Sequence, residues 1–365
     1  MKFEIEKIKI EMILQKAGRL TGKHLTLPVL SCVYFDFKNE DLVVKSTNLD
    51  LGLEFKTKIK STSSGSFVVP AGVLLNTISG IRDEKINFEV VDNNLKITTL
   101  KNKALIKCMS KEDFPSIPAI ENTNSIKIPI NDLLLGFKSV WYSASNSTIK
   151  PELSSVYVYK NNDYLTFVST DSFRLAEKSL HIKFNSDFPP ILIPYKNVTE
   201  IIRIIDGLDG EIEILFDKNQ IAFRYKDLYL VSRLIDGSFP DYKQIIPKEP
   251  TTTLILLKSE VINAVKSSVV FSDSLNQIKL KVDSKNKTLT VDSKNNDVGE
   301  YTESIKANIE GDDIELNFNN KYLSDCFQSI FSDSLSMKFN GLGKPLIISG
   351  ANDNSFTYVL MPMNR

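Results

Sequence analysis

The residues of this chain that could carry out chemistry are few and far apart. His24 and His181 are the only histidines, and neither belongs to an HExxH or Cys/His cluster of the kind that binds zinc. Asp283 and Asp292 each open an Asp-Ser-Lys-Asn turn that lacks the spacing and the glycine of a calcium loop. Gly341-Leu-Gly-Lys-Pro345 lacks the GxxxxGK spacing of a phosphate loop, and its proline has no N–H to offer. Since no nucleophile–base pair is evident either, the sequence predicts no catalytic residue, no metal and no cofactor.

The composition is ordinary for a globular protein with substantial cores. The chain has 365 residues, of which 42% are hydrophobic and 25% are charged, enough for two or three domains. Its 45 basic and 45 acidic residues give a formal net charge of zero. Binding to a polyanion would therefore require basic residues gathered on one face, and the overall charge neither supports nor excludes DNA.

The cysteines and the N-terminal residues indicate in which cellular compartment the protein is expected. Cys32, Cys108 and Cys326 are an odd number and far apart, each in an apolar-patterned segment, which predicts buried free thiols rather than disulfides or a metal framework. The segment that begins Met1-Lys-Phe-Glu-Ile lacks the long apolar core of a signal peptide, and no apolar run reaches membrane-spanning length. We expect a cytoplasmic protein without membrane contact.

Two similar connectors divide the chain. The motif Phe-Pro occurs at Phe114-Pro115 and again at Phe239-Pro240, 125 positions later, each time as an aromatic anchor followed by a stiff proline segment. The second connector follows Asp236-Gly237, a dipeptide that favours a tight turn. The spacing predicts repeated units, and we divide the chain into three domains at residues 1–122, 123–250 and 251–365.

Hydrophobic periodicity predicts the same elements in each domain. Strand-like alternation gives roughly eight strands per unit, including one over Val29–Phe37, and a helical period gives two helices per unit. Two amphipathic helices on a mostly antiparallel sheet make one α+β core per unit, with Trp141 in the core of the second. The predicted helices are Ile10–Leu20, Ala71–Ile81, Asn131–Ser143, Lys196–Ile205, Ser259–Phe271 and Asn320–Phe331.

Four motifs in this frame resemble a known family. They are Leu27-Pro28, the stretch Ser169–Ala176, the stretch Leu234–Tyr242 and the terminal Tyr358–Met363. In this order and spacing, over essentially the whole chain, they resemble the beta subunit of bacterial DNA polymerase III, the sliding clamp family. The resemblance implies a head-to-tail homodimer that forms a closed ring of six similar domains around duplex DNA. It also implies a processivity factor without chemistry of its own, bound by the polymerase III catalytic subunit, the clamp loader and other clamp-motif proteins.

The resemblance implies a peptide-binding pocket between the second and third domains. The family often has Gly-His where this chain has Ser172-Phe173, and a basic residue where it has Asn364. Two methionines beside a proline at the chain end suit an adaptable apolar surface. The implied pocket residues are Leu153, Thr170, Ser172, Phe173, Arg174, Leu175, Pro240, Gln244, Ile245, Pro345, Val359, Leu360, Met361, Pro362 and Met363.

The candidate inner helices carry more basic than acidic residues. The basic ones are Lys7, Lys9, Lys16, Arg19, Lys138, Lys196, Arg203, Lys258, Lys266 and Lys321, against Glu11, Asp132, Glu200, Glu260 and Asp325. This excess favours a weakly basic lining that touches phosphates and reads no bases. By resemblance, the DNA contacts are Lys23, His24, Lys196, Arg203 and Lys138. His24 replaces a common Arg, which would weaken that contact near neutral pH.

The implied dimer interface joins an edge strand of one subunit to the third domain of the other. Its residues are Lys103, Ala104, Ile106, Val270 and Phe271. Replacing Ile106 and Phe271 by charged residues is expected to give monomers, because unpaired charge is costly at a buried strand edge.

Without the family resemblance, the residues alone leave open a function of another class. A β-rich multidomain ligand-binding or adhesive protein without DNA would have the same strand content. A signal peptide and an aromatic-lined concave site would favour it, and neither is evident. An enzyme is a more distant alternative, whose mark would be an acid–base pair in a cleft.

Overall fold

A computed structural model describes residues 1–22, 26–61, 63–121, 125–184, 187–247 and 249–363. The first repeat contains β1 (Lys2–Glu6), α1 (Lys7–Ala17), β2 (Cys32–Lys38), β3 (Asp41–Thr47), β4 (Leu51–Lys58), β5 (Ser64–Pro70), α2 (Ala71–Ser79), β6 (Lys85–Val91), β7 (Asn94–Thr98) and β8 (Lys103–Lys107). The second contains β9 (Ser125–Pro129), α3 (Ile130–Val140), β10 (Ser155–Asn161), β11 (Tyr164–Thr170), β12 (Arg174–His181), β13 (Ile191–Pro194), α4 (Tyr195–Ile205), β14 (Glu211–Phe216), β15 (Gln220–Tyr225) and β16 (Leu228–Arg233).

The third repeat follows the same order with one additional strand. It contains β17 (Thr252–Leu257), α5 (Lys258–Val269), β18 (Gln277–Asp283), β19 (Thr288–Asn295), β20 (Gly299–Lys306), β21 (Asn308–Gly311), β22 (Ile314–Asn319), α6 (Asn320–Asp325), β23 (Ser334–Phe339), β24 (Leu346–Gly350) and β25 (Asp353–Leu360). The predicted α+β fold of three repeats, each with two helices and antiparallel strands, is confirmed.

The chain forms two compact units that do not coincide with the three repeats. Unit 1 consists of residues 1–131 and 199–234. It holds a four-stranded sheet in the order β1-β6-β7-β8 and an eight-stranded sheet in the order β5-β2-β3-β4-β16-β15-β14-β9. The large sheet joins two repeats through antiparallel pairing of β4 with β16, in which Leu51 faces Ser232 and Phe55 faces Leu228.

Unit 2 consists of residues 132–198 and 235–365. Its sheets are a nine-stranded one in the order β13-β10-β11-β12-β25-β24-β23-β17-β21 and a four-stranded one in the order β20-β19-β18-β22. Here β12 pairs with β25, so that Arg174 faces Leu360 and Leu175 faces Val359. The second repeat thus contributes strands to both large sheets.

The helices and strands follow from the apolar periodicity. In α1, the residues buried against unit 1 are Ile10, Ile13, Leu14 and Ala17, the face that the sequence predicts. Gly18 follows and donates its N–H to the carbonyl of Leu14 at 2.8 Å. On β2, alternate residues turn inward, and buried Phe35 stacks on Phe67 with ring centroids 4.7 Å apart.

Several sequence predictions were wrong in detail. The strand expected at Val29 begins only at Cys32, because Pro28 opens a 3-10 turn over Pro28–Ser31. The sixth helix ends at Asp325 and continues as a 3-10 turn, Cys326–Ser329. Trp141 is half-buried rather than in the core, and strand β21 was not foreseen.

The thiols and the helices bear on the other predictions. Cys32 and Cys326 are buried, Cys108 is half-buried, and all three are free thiols. Within the described ranges, no group of three His, Cys, Asp or Glu side chains is arranged to hold a metal ion. None of the helices in those ranges has the length and apolarity needed to cross a membrane.

Candidate functional site

The turn between β11 and β12 is held by its own side chains. Thr170 Oγ1 donates to the carbonyl of Arg174 at 2.7 Å and accepts the N–H of Ser172 at 3.2 Å. Asp171 Oδ1 accepts the N–H groups of Phe173 and Arg174, both at 3.0 Å. Ser172 adopts a left-handed backbone with φ of 78°. The turn therefore raises Phe173 out of the sheet, where 62% of its surface is exposed.

Arg174 lies beneath this turn rather than on it. Only 9% exposed, its guanidinium contacts Asp171 at 3.0 Å, Asp325 at 2.5 Å and the carbonyl of Tyr142 at 2.5 Å, and it stacks over Tyr322. Burial opposes its charge, but Tyr358, Asp325 and Asp171 outweigh burial and raise the pKa of the guanidinium. Arg174 was expected to line the pocket. In the structure it lies at the base of the turn, where Nε, Nη1 and Nη2 donate to two carboxylates and a carbonyl.

The chain end runs beside the turn. Met361 donates its N–H to the carbonyl of Phe173 at 2.8 Å, which extends the β12–β25 pairing by one residue. Two residues later, Met363 donates its N–H to the carbonyl of Asn317 at 2.8 Å. Leu360 is fully buried, whereas Met361 is exposed. Among residues 360–363, Met361 is therefore the one displayed next to Phe173.

The connector after β16 is the third segment of the candidate site, beside the β11–β12 turn and residues 361–363. Phe239 stacks on Tyr157 with centroids 4.9 Å apart. Tyr242 lies in a buried cluster with Val168, Leu175 and Val359. The side chain of Gln244 donates to Asp241 at 2.6 Å, while Pro240 and Ile245 are exposed.

A polar network that sequence reasoning missed fixes this connector. The hydroxyl of Tyr242 donates to Glu177 on β12 and bonds to the hydroxyl of Tyr159 on β10, the latter at 2.8 Å. Burial and the Glu177 carboxylate raise the pKa of Tyr242 well above its ordinary value. The alternation Tyr157-Val-Tyr159 on a predicted strand was the available signal, because it places two tyrosines on one face.

Phe173, Ile245 and Met361 are exposed apolar residues of the turn, the connector and the strand end, and with Pro362 and Met363 they define the surface that we call the unit 2 groove. A depression of about 250 Å³ continues it, lined by Leu316, Leu342, Gly343, Pro362 and Met363, among others. Pro345 is half-buried and precedes Leu346, which pairs with Leu360. Leu153, Thr170, Leu175 and Val359 are buried and support the surface from below, Leu153 from the turn before β10. An aliphatic or aromatic side chain of a bound peptide would meet an apolar surface here, and the unbranched methionine side chains could adapt to its shape.

The predicted DNA contacts are exposed where the structure describes them. Lys138 on α3, Lys196 on α4 and Arg203 on α4 are exposed, and Arg203 pairs with Glu200 at 2.5 Å. Lys23 and His24 lie outside the described residues.

Two lysines of the expected basic lining point inward instead. Lys16 donates to the carbonyl of Ile204, and Lys258 donates to that of Ile330 at 2.6 Å. Burial lowers the pKa of Lys16. Each of these two side chains uses a donor on a backbone carbonyl, which holds its ammonium group against the protein rather than extended into solvent.

The predicted interface residues differ in exposure. β8 is an edge strand, on which Lys103 is exposed and Ala104 is half-buried. Ile106 is only 7% exposed and faces Leu95 across the sheet, while its neighbour Leu105 is 65% exposed. A charge at Ile106 would therefore destabilise its own core, and Leu105 is the residue to change in a test of the interface.

The other predicted half of the interface lies at the end of α5. Val270 is exposed, and Phe271 stacks on Tyr301 of β20 with centroids 5.9 Å apart. β20 is itself an edge strand.

Comparisons with known proteins cover nearly the whole chain. Residues 1–118, 127–241 and 243–364 match the models of the N-terminal, central and C-terminal domains of the DNA polymerase III beta subunit. The chain is 23% identical over 374 residues to the beta sliding clamp of Staphylococcus epidermidis, covering 100% of this chain and 99% of that protein. It is 25% identical over 374 residues to the beta sliding clamp of Synechococcus elongatus, with the same coverage.

Solved structures show the same fold. The DNA polymerase sliding clamp of Bacillus subtilis superposes with a TM-score of 0.95 at 23% identity, covering 100% of this chain and 99% of that chain. A sliding clamp of Pseudomonas aeruginosa, solved bound to griselimycin, superposes with a TM-score of 0.94 at 22% identity, covering 100% of both chains. With all three domain models matched in order, the chain belongs to the DNA polymerase III beta subunit family.

Proposed function

We propose that this chain is the subunit of a ring-shaped sliding clamp that encircles duplex DNA and tethers the replicative polymerase. The observation that carries this function is the match of all three clamp domains in order, over residues 1–118, 127–241 and 243–364. The clamp is a processivity factor and not an enzyme. It acts on the bacterial chromosome, so we assign it to the cytoplasm, and we keep domain boundaries at residues 122 and 250.

The sheet topology supports a head-to-tail homodimer. Each large sheet already joins strands of two repeats edge to edge, at β4–β16 and at β12–β25. Each four-stranded sheet has two outer strands, β1 and β8 in one and β20 and β22 in the other, and within the described part of the chain no further strand lies beyond β8 or β20. An unpaired edge favours addition of another strand. Pairing β8 of one subunit with β20 of the other would join the first and third repeats in the same way.

Charge and apolar surface agree with this pairing. β8 carries Lys103 and Lys107 at its ends, whereas β20 carries Glu300 and Glu303 and ends at Lys306. Opposite charges across a strand pair are favourable, and they orient the partners during association. Leu105 on β8 supplies an exposed apolar side chain. We include Lys103, Ala104, Leu105, Ile106, Val270 and Phe271 in the proposed interface.

Enclosure explains how a neutral chain can hold DNA. Exposed basic residues on α3 and α4, namely Lys138, Lys196 and Arg203, would touch phosphates weakly and without sequence preference. Topological linkage then prevents escape, and the tethered polymerase rebinds at high effective concentration. The unit 2 groove would take the apolar anchor of peptide motifs from the polymerase catalytic subunit, the clamp loader and other partners.

To test this function, the protein is loaded onto nicked circular DNA by a clamp loader, and its retention on the DNA is measured by gel filtration at high salt. A ring stays on the circle because phosphate screening does not open the subunit interface, and one restriction cut releases it. Equal retention on circular and linear DNA would mean that the protein grips DNA by charge, contrary to the proposal.

A pair of variants tests the interface in the same assay. Leu105→Asp should sediment as a monomer and be lost from the circle, because it places a charge in the strand-edge contact. Leu100→Asp is the matched control, since Leu100 is 95% exposed and lies in the turn before β8. A dimeric Leu105→Asp protein would show that β8 is not the contact.

A further inference from the structure

Unit 1 contains a second copy of the turn that shapes the unit 2 groove. Thr47 Oγ1 donates to the carbonyl of Leu51 at 2.7 Å and accepts the N–H of Leu49 at 3.0 Å. Asn48 Oδ1 accepts the N–H groups of Asp50 at 3.1 Å and Leu51 at 2.7 Å. Leu49 has φ of 78°, the value found at Ser172. The two turns thus share one backbone and one set of hydrogen bonds.

The neighbouring strand is also equivalent. Arg233, the last residue of β16, lies beside this turn and donates its N–H to the carbonyl of Asp50 at 2.9 Å, as Met361 does to Phe173. The rim positions held by Phe173 and Met361 in unit 2 are therefore held by Asp50 and Arg233 in unit 1. Both are exposed. The second rim is charged where the first is apolar.

The first connector completes the enclosure. Phe114 packs against Tyr34 with centroids 5.2 Å apart, as Phe239 packs on Tyr157. Ile117 fills the space above Gly52, where a Cβ would lie 2.7 Å from its side chain. A cavity of about 330 Å³ remains, lined by Leu49, Asp50, Pro115, Gln220, Val231 and Arg233, among others. The turn after β3, strand β16 and the first connector thus enclose an open cavity rather than packing together without space.

Leu49 is the second sign of a ligand. A left-handed backbone is disfavoured for a large side chain, and the equivalent position in unit 2 holds serine. Leu49 nevertheless keeps this conformation with 39% of its surface exposed at the cavity, so its side chain does not serve the core. Residues held in sparsely populated backbone conformations cluster at ligand clamps and other functional sites.

We propose that unit 1 carries a second peptide-docking groove, built from Leu49, Val231, Pro115 and Arg233. Its occupant is a short extended segment of a partner protein, with an aliphatic side chain on Leu49 and an adjacent carboxylate on Arg233. A guanidinium binds a carboxylate through two parallel hydrogen bonds, which Met361 at the equivalent position of unit 2 does not supply. The choice of a peptide as ligand rests on the proposed function of the unit 2 groove.

The test uses full-length protein and fluorescein-labelled peptides Ser-Leu-Asp-Leu-Ser and Ser-Leu-Asn-Leu-Ser, with binding measured by fluorescence anisotropy. The Asp peptide should bind more tightly, and Arg233→Gln should weaken it about tenfold while leaving the Asn peptide unchanged. Leu49→Ser, which restores the residue found in unit 2, should weaken both peptides and unfold no more easily than the parent.

Three outcomes would overturn the proposal. One is equal binding of the two peptides, and another is indifference of the Asp peptide to Arg233→Gln. The third is a peptide-free association of clamps in sedimentation that Arg233→Gln abolishes, which would make a second copy the occupant. Sensitivity of the Asp peptide to Met361→Arg alone would place it in the unit 2 groove, so that the second groove fails while the proposed function stands.

Discussion

Strands β4 and β12 occupy the same position in two sheets, yet one is fixed by packing and the other by charge. On β4, Leu51 and Phe55 face Ser232 and Leu228 of the paired strand. On β12, the equivalent residues are Arg174 and Lys178, which face Leu360 and Phe356. Both basic residues are buried. The backbone frame is therefore repeated, while the interactions that hold it are not.

The two strands differ in how specific the neighbours of their buried side chains must be. A buried leucine packs against any neighbour of suitable volume, whereas a buried cation requires specific acceptors. Arg174 finds them in Asp171, Asp325 and the carbonyl of Tyr142, and Lys178 donates to Ser355 Oγ at 2.6 Å. These hydrogen bonds hold β12 below the turn from which Phe173 extends, with 62% of its surface exposed.

The largest expected effect is on the stability of unit 2. Arg174→Ala should lower the free energy of unfolding by about 3 kcal/mol, because it leaves Asp171 and Asp325 without their cation. Trp141, the only tryptophan, precedes Tyr142 in the chain and reports the transition by fluorescence during denaturant titration. Arg174→Leu, which copies Leu51, should remain destabilised for the same reason. A fully stable leucine variant would mean that packing alone suffices at both positions.

A smaller effect is expected on peptide binding. Met361→Arg gives the unit 2 rim the residue found at Arg233, and should weaken a labelled Gln- and Leu-containing peptide by about thirtyfold, or about 2 kcal/mol. The loss follows because an apolar anchor would meet a solvated cation. Arg233→Met is the reciprocal control and should leave this peptide unaffected. Unchanged affinity of the Met361→Arg protein would exclude Met361 from the groove.

The smallest effect concerns pH. Burial lowers the pKa of Lys178 from its ordinary value of 10.5, with Asp353 acting in the opposite direction. Between the lowered pKa and 10.5 the unfolded chain holds more protons than the folded one, so stability rises with pH in that window. Lys178→Met should remove this alkaline rise and leave the free energy of unfolding at neutral pH within about 1 kcal/mol of the parent. Denaturation at a series of pH values measures both, and an unchanged pH profile would contradict the assignment.

Features that depend on local pattern could be predicted from the sequence. The buried face of α1 and the two aromatic connectors follow from periodicity and spacing, and the structure confirms them. The exposure of Leu105 rather than Ile106 depends on the register between β7 and β8, which two adjacent apolar residues leave open. The burial of Arg174 depends on Asp325, a residue of another repeat, and no local pattern indicates that contact.

The division of the second repeat between two large sheets has a consequence for synthesis on the ribosome. Strand β4 can pair with β16 only when Arg233 has emerged from the ribosome. Strand β12 can pair with β25 only when residues 353–360 have been synthesised. Until then each nascent sheet exposes a strand edge that favours pairing with other chains. A chain cut before β25 would keep one such edge open permanently. Premature termination late in translation should therefore produce aggregates that engage chaperones, rather than a shortened clamp.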